Sequence, residues 1–599
     1  MSSKLAAFAA VALCAFAVAG SAFGAGISTA SNASPPGTTP QNHQNEPAVA
    51  IDANHPNIVV AGWNDFVDWA PCPRHDTVDF GTCADDADSG VGLSAVSFSF
   101  DNGNTWTQPT YPHGWTAADC DPTASSCTPH VGPIHTLPGY YENGLVSSGD
   151  PAVAVGPVPD AHGHFDWGNG ERVYYANLVG AWPSGFAFPN PEFHGYLAVG
   201  VSRLDNPTPA SIAQAASWQA PVLVNRTTGQ TAFEDKEQIW ADNASLSPFF
   251  GRVYLCNPEF RSNGQHRGLG GNFPAPLTVS FSADGGSTWS TKQITSAGTT
   301  GLGPTLWGIS GCTVRTDSHG TVYVFGEMFE NPTLVGLPTH GSHVLWTSTD
   351  GGVHWSKMQV VRQVTDPCYF TDPVYGRCVM DGYAGARTDL SAAPSVDIAN
   401  GAPSGLNASN EIVDVWADSG SSVNANVALL SYSTNGGQTW SGPAPVSRPG
   451  DRPLYAAPAL SPSGDRLYVV YEADTAPWRG ADMASPRPYH GVFETAAVGA
   501  GGAPGAWTAL TGPLGDLRAT YPGHDIYQER VGDYVYAAAS QLYGIGVWTD
   551  ASAASVCPAV QNYRAASLAA GTLALPAPWP LADCAPTFGN TETLAATTG

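Results

Sequence analysis

Four near-copies of one short stretch constrain this chain more than any other feature. They read SFSFDNGNTWT from Ser97, SFSADGGSTWS from Ser280, WTSTDGGVHWS from Trp346 and SYSTNGGQTWS from Ser431, with the shared pattern Ser-x-Asp/Asn-x-Gly-x-Thr/His-Trp. Each copy sits at the same place in a longer unit. A unit opens on a short apolar run: EPAVAID at Glu46, DPAVAVG at Asp150, DKEQIWAD at Asp235, SGCTVRTD at Ser310, APSVDIA at Ala393, APALSPSG at Ala457 and GDYVYAAA at Gly532. A turn and a β-branched run follow, such as NIVVAGW, RVYYANL or TVYVFGE, and then a third and a fourth run. Short strands repeated at this period predict an all-β fold, a β-propeller of four-stranded antiparallel blades. The count is seven blades. Six is the alternative, because the last unit is irregular and its third strand is expected near VQNYRAAS at Val560.

The repeated motif falls where the third strand of a blade turns into the fourth. Its glycines permit positive φ, as tight hairpins require, and its acid can accept turn N–H groups. Asp101, Asp284, Asp350 and Asn435 are therefore read as turn-formers, with Trp106, Trp289, Trp355 and Trp440 anchoring each turn to its blade.

Composition agrees with a folded, turn-rich β protein. Of 599 residues 43% are hydrophobic and only 12% charged, and there are 67 Gly and 50 Pro. Lys and Arg number 23 against 50 Asp and Glu, a formal charge of -27. That balance repels phosphates and argues against nucleic acid and anionic membranes as partners. Residues 1–24 have the basic start, apolar run and small-residue end of a secretory signal peptide, and no later run is long enough to span a bilayer. The expected organisation is signal peptide 1–24, linker 25–44, propeller 45–585 and tail 586–599, in a secreted, extracellular protein. Beyond Cys14 ten cysteines remain. In an oxidising compartment they suggest the pairs Cys72–Cys83, Cys120–Cys127, Cys256–Cys312, Cys368–Cys378 and Cys557–Cys584. No C-x-x-C or H-x-x-x-H spacing marks a zinc site.

The four motifs resemble the Asp-box of bacterial neuraminidase repeats, which is found in sialidases and other secreted propellers. The resemblance implies an exo-acting glycoside hydrolase of sialidase type working on extracellular glycans or glycoconjugates. In that family an early Arg-Ile-Pro-like strand contributes to an arginine clamp for the substrate carboxylate, a Tyr paired with Glu is the nucleophile and an Asp is the acid/base. Here the first unit opens on Asn-Glu-Pro instead, and no Arg-Ile-Pro occurs. Arg315, Arg387, Arg518 and Arg530 are the candidates for another clamp, and Tyr383, Tyr521 and Tyr534 for a nucleophile; Arg172, Arg252 and Arg466 read as turn or surface residues. The alternative is a non-catalytic module that binds a glycan or a protein.

A different constellation comes from the residues themselves. Innermost strands open on acids, namely Glu46, Asp150, Asp235 and Asp389, with Glu529 and Asp533 near the end. Equivalent units would bring these acids to one mouth of the channel. There Glu46, Asp150, Asp235 and Asp533 are candidates for acid and base work on a neutral glycan, or for holding Ca²⁺. The blander reading has them satisfy backbone groups or pair locally, as Asp235 would with Lys236. Asp86, Asp88 and Gly90 open a second calcium-like loop whose twelfth position, Ser97, departs from the pattern. Trp69, Trp115, Trp167 and Trp182 are candidates for stacking on sugars or for loop packing.

Overall fold

The fold was obtained as a computed structural model that describes residues 25–31, 40–71, 90–121, 129–181, 197–226, 232–261, 275–295, 308–330, 340–369, 378–381, 385–388, 390–480, 482–520, 531–574 and 576–599. Seven small antiparallel sheets form the body. Their innermost strands touch in sequence around a ring, and the seventh touches the first, so the array closes as a seven-bladed propeller. Blade 4 is a plain example. Ile309–Thr316, Val322–Glu330, His340–Ser348 and Gln359–Thr365 pair antiparallel in chain order from the axis outward.

The second strands show why the blades stack. They are β-branched and buried on both faces. Val60, Val173, Val253, Val324, Val413, Val469 and Ile545 are all fully buried. Val60, Val96 and Phe98 of blade 1 meet Val155, Val173 and Tyr175 of blade 2 in one cluster. Each such side chain contributes about 1.5–3 kcal/mol by leaving water, a gain available only with a neighbouring blade in place. Close approach sets the sequence at Gly62, where an added Cβ would lie 2.6 Å from the Tyr175 ring.

The repeated motif makes the same turn four times. In blade 3 the Gly286 N–H donates to Ser282 Oγ at 2.8 Å, the Thr288 N–H to Asp284 Oδ1 at 2.9 Å, and Trp289 Nε1 to the Gly286 carbonyl at 3.1 Å. Asp101, Asp350 and Asn435 accept from Thr105, His354 and Thr439 in the same way. The preceding blade holds two of these turns. Arg172 Nη1 donates to the Gly285 carbonyl at 2.7 Å, and Arg252 Nη1 to the Gly351 carbonyl at 2.6 Å. Two of the arginines read as turn or surface residues are thus blade-to-blade clasps on these turns.

Blade 7 departs from expectation. Residues 560–567, read as its third strand, lie in the helix Pro558–Ala570, which begins on Pro558 and ends on Gly571 at φ 65°. The third strand is Glu592–Thr598, and Gly26–Thr29 pairs outside it. The segments expected to be linker and tail therefore supply the two outer strands of this blade. Their brevity and small residues hid them.

Disulfides Cys256–Cys312, Cys368–Cys378 and Cys557–Cys584 are formed, as expected of an oxidising compartment. Cys120 is also disulfide-bonded. Cys72, Cys83 and Cys127 lie outside the described residues, as do residues 1–24. Among the described residues no helix is long and apolar enough to cross a membrane.

Candidate functional site

Innermost strands begin at one end of the channel and finish at the other. The connections that lead into them, and those from second to third strands, must lie at the starting end. There stand the hairpin of Tyr111–Thr116 and His130–Ile134, the hairpin of Val379–Met380 and Ala386–Arg387, and the helix Pro558–Ala570. The functional question concerns this mouth.

Several innermost strands break step close to their start. The register slips between Asn45 and Ala48 in blade 1 and between Ser310 and Thr313 in blade 4. In blades 2 and 3 the strand is interrupted at 148–151 and 235–237. At these breaks Glu46, Asp150 and Lys236 take left-handed φ of 56°, 53° and 51°. Glycine fills the corresponding place in blade 4, where Gly311 has φ 59°. A side chain in that region costs on the order of 1–3 kcal/mol and persists only where its surroundings over-determine it.

Their surroundings are one another. Lys236 Nζ lies 3.0 Å from Asp150 Oδ2, 3.0 Å from Asp533 Oδ2, 3.4 Å from Glu46 Oε1 and 3.7 Å from Asp235 Oδ1. A second cation enters from the hairpin before blade 5. Arg387 Nε donates to Asp533 Oδ1 at 2.9 Å, and its Nη2 to Asp533 Oδ2. The Tyr455 hydroxyl lies 3.2 Å from Asp533 Oδ1. Asn64 links blades 1 and 2, donating to Glu46 Oε2 at 2.9 Å and accepting the Asp150 N–H at 2.9 Å. Glu46, Asp150, Lys236, Arg387 and Asp533 are all buried. The four acids picked out in the sequence therefore converge, with an ammonium at their centre.

Glu237 is the member that sequence reasoning missed. It is buried, and neither of its carboxylate oxygens makes a hydrogen bond with another residue. Burial first, and then the Asp150 carboxylate, push its acid well above the usual carboxylate range. The Tyr534 hydroxyl is likewise buried and unbonded, with the Lys236 ammonium 5.7 Å from its ring centre. Burial, followed by the charges of Glu46 and Asp150, keeps that phenol protonated. Lys236, Glu237, Gly311, Tyr455, Asp533 and Tyr534 line a pocket of about 70 Å³.

A larger cavity of about 370 Å³ opens toward the other end of the channel, lined by Trp240, Arg315, Asp397, Asn400 and Tyr536 among others. Gln238 and Tyr536 line both spaces, and Gln238 Nε2 donates to the Tyr536 hydroxyl at 3.2 Å. Arg315, a clamp candidate, belongs to this far side. It pairs with Asp397 at 3.2 Å, donates to Gln238 Oε1 at 2.6 Å and lies 4.6 Å from the Trp240 ring centre. It does not join Arg387, and the two do not form a common clamp. Arg518 pairs with Asp516 at 2.7 Å. Asp389, Glu529, Arg530, Tyr383, Tyr521, Asp86, Asp88 and Trp182 lie outside the described residues.

The three aromatic candidates among the described residues are engaged in packing or hydrogen bonding. Trp69 is buried beside Phe66, Trp115 stacks on Tyr141 at 5.8 Å, and Trp167 donates to the Pro403 carbonyl at 3.2 Å.

No family model and no curated protein matches the chain. Among solved structures it is similar to the Hadza microbial sialidase Hz136, with 14% identity over 72% of this chain and 63% of that one and a TM-score of 0.37. It is also similar to Trypanosoma rangeli sialidase in complex with 2,3-difluorosialic acid, with 10% identity over 75% and 56% of the two chains and a TM-score of 0.37. A protein of unknown function from Dyadobacter fermentans matches at 10% identity over 76% and 98%, with a TM-score of 0.35. The likeness to sialidase propellers is distant. The matches span less than two thirds of either sialidase chain, and the seven-bladed arrangement rests on the sheet topology described above.

Proposed function

We propose that this chain is an exported glycoside hydrolase that acts on a neutral extracellular glycan at the acid-rich mouth of the channel. The observation that carries the reading is Glu237, a buried carboxyl that makes no hydrogen bond with another residue, beside the ion-paired Asp150. One buried carboxyl that burial pushes toward its acid form, beside a second carboxyl paired with an ammonium, is the kind of pair that acid-assisted glycoside cleavage uses. Glu237 would protonate the leaving oxygen, and Asp150 would serve as base or nucleophile. Glu46 and Asp533 would stabilise the positive charge that develops on the sugar ring.

The same charges select the substrate. Glu46, Asp150, Asp235 and Asp533 outnumber Lys236 and Arg387, and Arg387 is already engaged by Asp533. An anionic sugar such as a sialoside would meet carboxylates where a clamp of free arginines would be needed. The motifs that resemble the Asp-box then serve the scaffold alone.

The test is a panel of fluorogenic glycosides, neutral and sialylated, with the parent chain and Glu237→Gln. The reading expects cleavage of a neutral glycoside that falls about 10²–10⁴-fold in the variant. Turnover of the sialoside alone, or an unchanged rate in Glu237→Gln, refutes it. One observation favours a second reading, binding without turnover. The pocket at the mouth, about 70 Å³, falls below the range of small-molecule sites, whereas the far cavity of about 370 Å³ lies within it. Glycan-array binding lost on Trp240→Ala, with no cleavage of any glycoside, would favour that reading.

A further inference from the structure

A group of metal-ligating side chains stands apart from the mouth, at the end of the channel where innermost strands finish. Asp52 and His55 lie in the turn that joins the first two strands of blade 1, and Glu171 opens the second strand of blade 2. One ligand atom from each residue lies within 4.8 Å of the others. His55 Nδ1 is 2.5 Å from Glu171 Oε1 and 3.9 Å from Asp52 Oδ2.

Asp52 gives this cluster its direction. Its side chain is fully buried, and its Oδ1 accepts the backbone N–H groups of Asn54 and His55 at 2.8 and 3.0 Å. Its Oδ2 makes no hydrogen bond at all. A buried carboxylate oxygen without a donor is costly, and His55 Nδ1 stands beyond hydrogen-bond reach. Asn54 Nδ2 donates to Glu171 Oε1 at 3.1 Å, orienting the third ligand from beside the cluster.

We propose that Asp52 Oδ2, His55 Nδ1 and Glu171 Oε1 bind a zinc ion that clips blade 1 to blade 2, with water completing the shell. One imidazole and two carboxylates suit a borderline cation better than calcium, which prefers an all-oxygen shell. Ligands at about 2.0–2.2 Å from a tetrahedral zinc lie about 3.3–3.6 Å apart. The present separations of 2.5 and 3.9 Å bracket that spacing. The side chain that must move is His55, which is 53% exposed. The site borders the larger cavity, since Ala53, Asn54 and Pro56 line that cavity, and it does not depend on the hydrolase reading.

The test uses the full chain, stripped with a chelator, dialysed and titrated calorimetrically with Zn²⁺, Mn²⁺ and Ca²⁺ beside His55→Ala and Glu171→Gln. Both changes sit at the edge of the blades, and circular dichroism checks their folding. The expected result is one Zn²⁺ per chain in the parent protein and an affinity at least about 10-fold lower in each folded variant. Zinc should also raise the unfolding temperature of the parent protein and not of the variants. Should one variant fail to fold, the other carries the comparison. Equal zinc stoichiometry and affinity in parent and variant, tighter binding of Ca²⁺ than of Zn²⁺, or no zinc uptake by the folded parent chain would overturn the assignment.

Discussion

Glu46 Oε1 accepts the backbone N–H of Asp533 at 2.9 Å, joining residues 487 positions apart. The bond spans the boundary between blade 1 and blade 7, and an added Cβ on the intervening Gly532 would overlap Glu46. The ion cluster at the mouth therefore belongs to the closure of the ring as well as to any chemistry there. Lys236 bridges blade 3 to blades 1, 2 and 7 through Glu46, Asp150 and Asp533.

Removing that ammonium should be severe. Lys236→Ala leaves buried carboxylates facing one another, and breaking a buried pair from one side costs about 3–5 kcal/mol. The loss should appear as a lower denaturant midpoint at neutral pH.

Glu234 should set part of the pH dependence of stability. It is buried in blade 3, and burial followed by repulsion from Glu259 pushes its acid from 4.5 up to about 8. The folded state then holds a proton that the unfolded state releases near 4.5. Stability should fall as pH rises from about 4.5 to 8, by up to about 1.4 kcal/mol per unit for one proton. Glu234→Gln should flatten that slope by about one proton, measured as unfolding free energy against pH. Asp242, raised to about 7 by burial, should leave a residual slope of the same sign.

The repeated turns should matter to stability and not to turnover. Asp284 accepts the N–H groups of Ser287 and Thr288 at 3.1 and 2.9 Å and the Thr288 hydroxyl at 2.6 Å. Asp284→Ala should cost about 1–2 kcal/mol in chemical unfolding. Its rate on any glycoside the parent chain cleaves should be unchanged.

The Cys256–Cys312 disulfide should support the mouth from behind. It joins blade 3 to blade 4 across a sequence separation of 56, and Cys312 Sγ lies 3.9 Å from the Lys236 carbonyl. The double change Cys256→Ala and Cys312→Ala should lower stability by about 2–4 kcal/mol. Proteolysis should then reach residues around 235–237 sooner than in the parent chain.

The architecture was legible because strand period and turn chemistry are local. Seven openers and four copies of one turn correspond to seven blades, and equivalent openers place Glu46, Asp150, Asp235 and Asp533 at one mouth. What stayed hidden depends on departures from regularity. In an unbroken strand Lys236 and Glu237 would face opposite ways. The break at 235–237, with Lys236 at φ 51°, lets neighbouring residues line one pocket, and no periodic pattern announces it. Asp52, His55 and Glu171 escaped for another reason: their proximity exists only once blade 2 lies against blade 1.

The pairing of Gly26–Thr29 with Leu594–Thr597 has a consequence for biogenesis. A ribosome must translate through Thr597 before the circle can latch. Until then the nascent polypeptide is an open arc with apolar blade faces at its two ends. Its survival depends on how quickly the last strand finds the first.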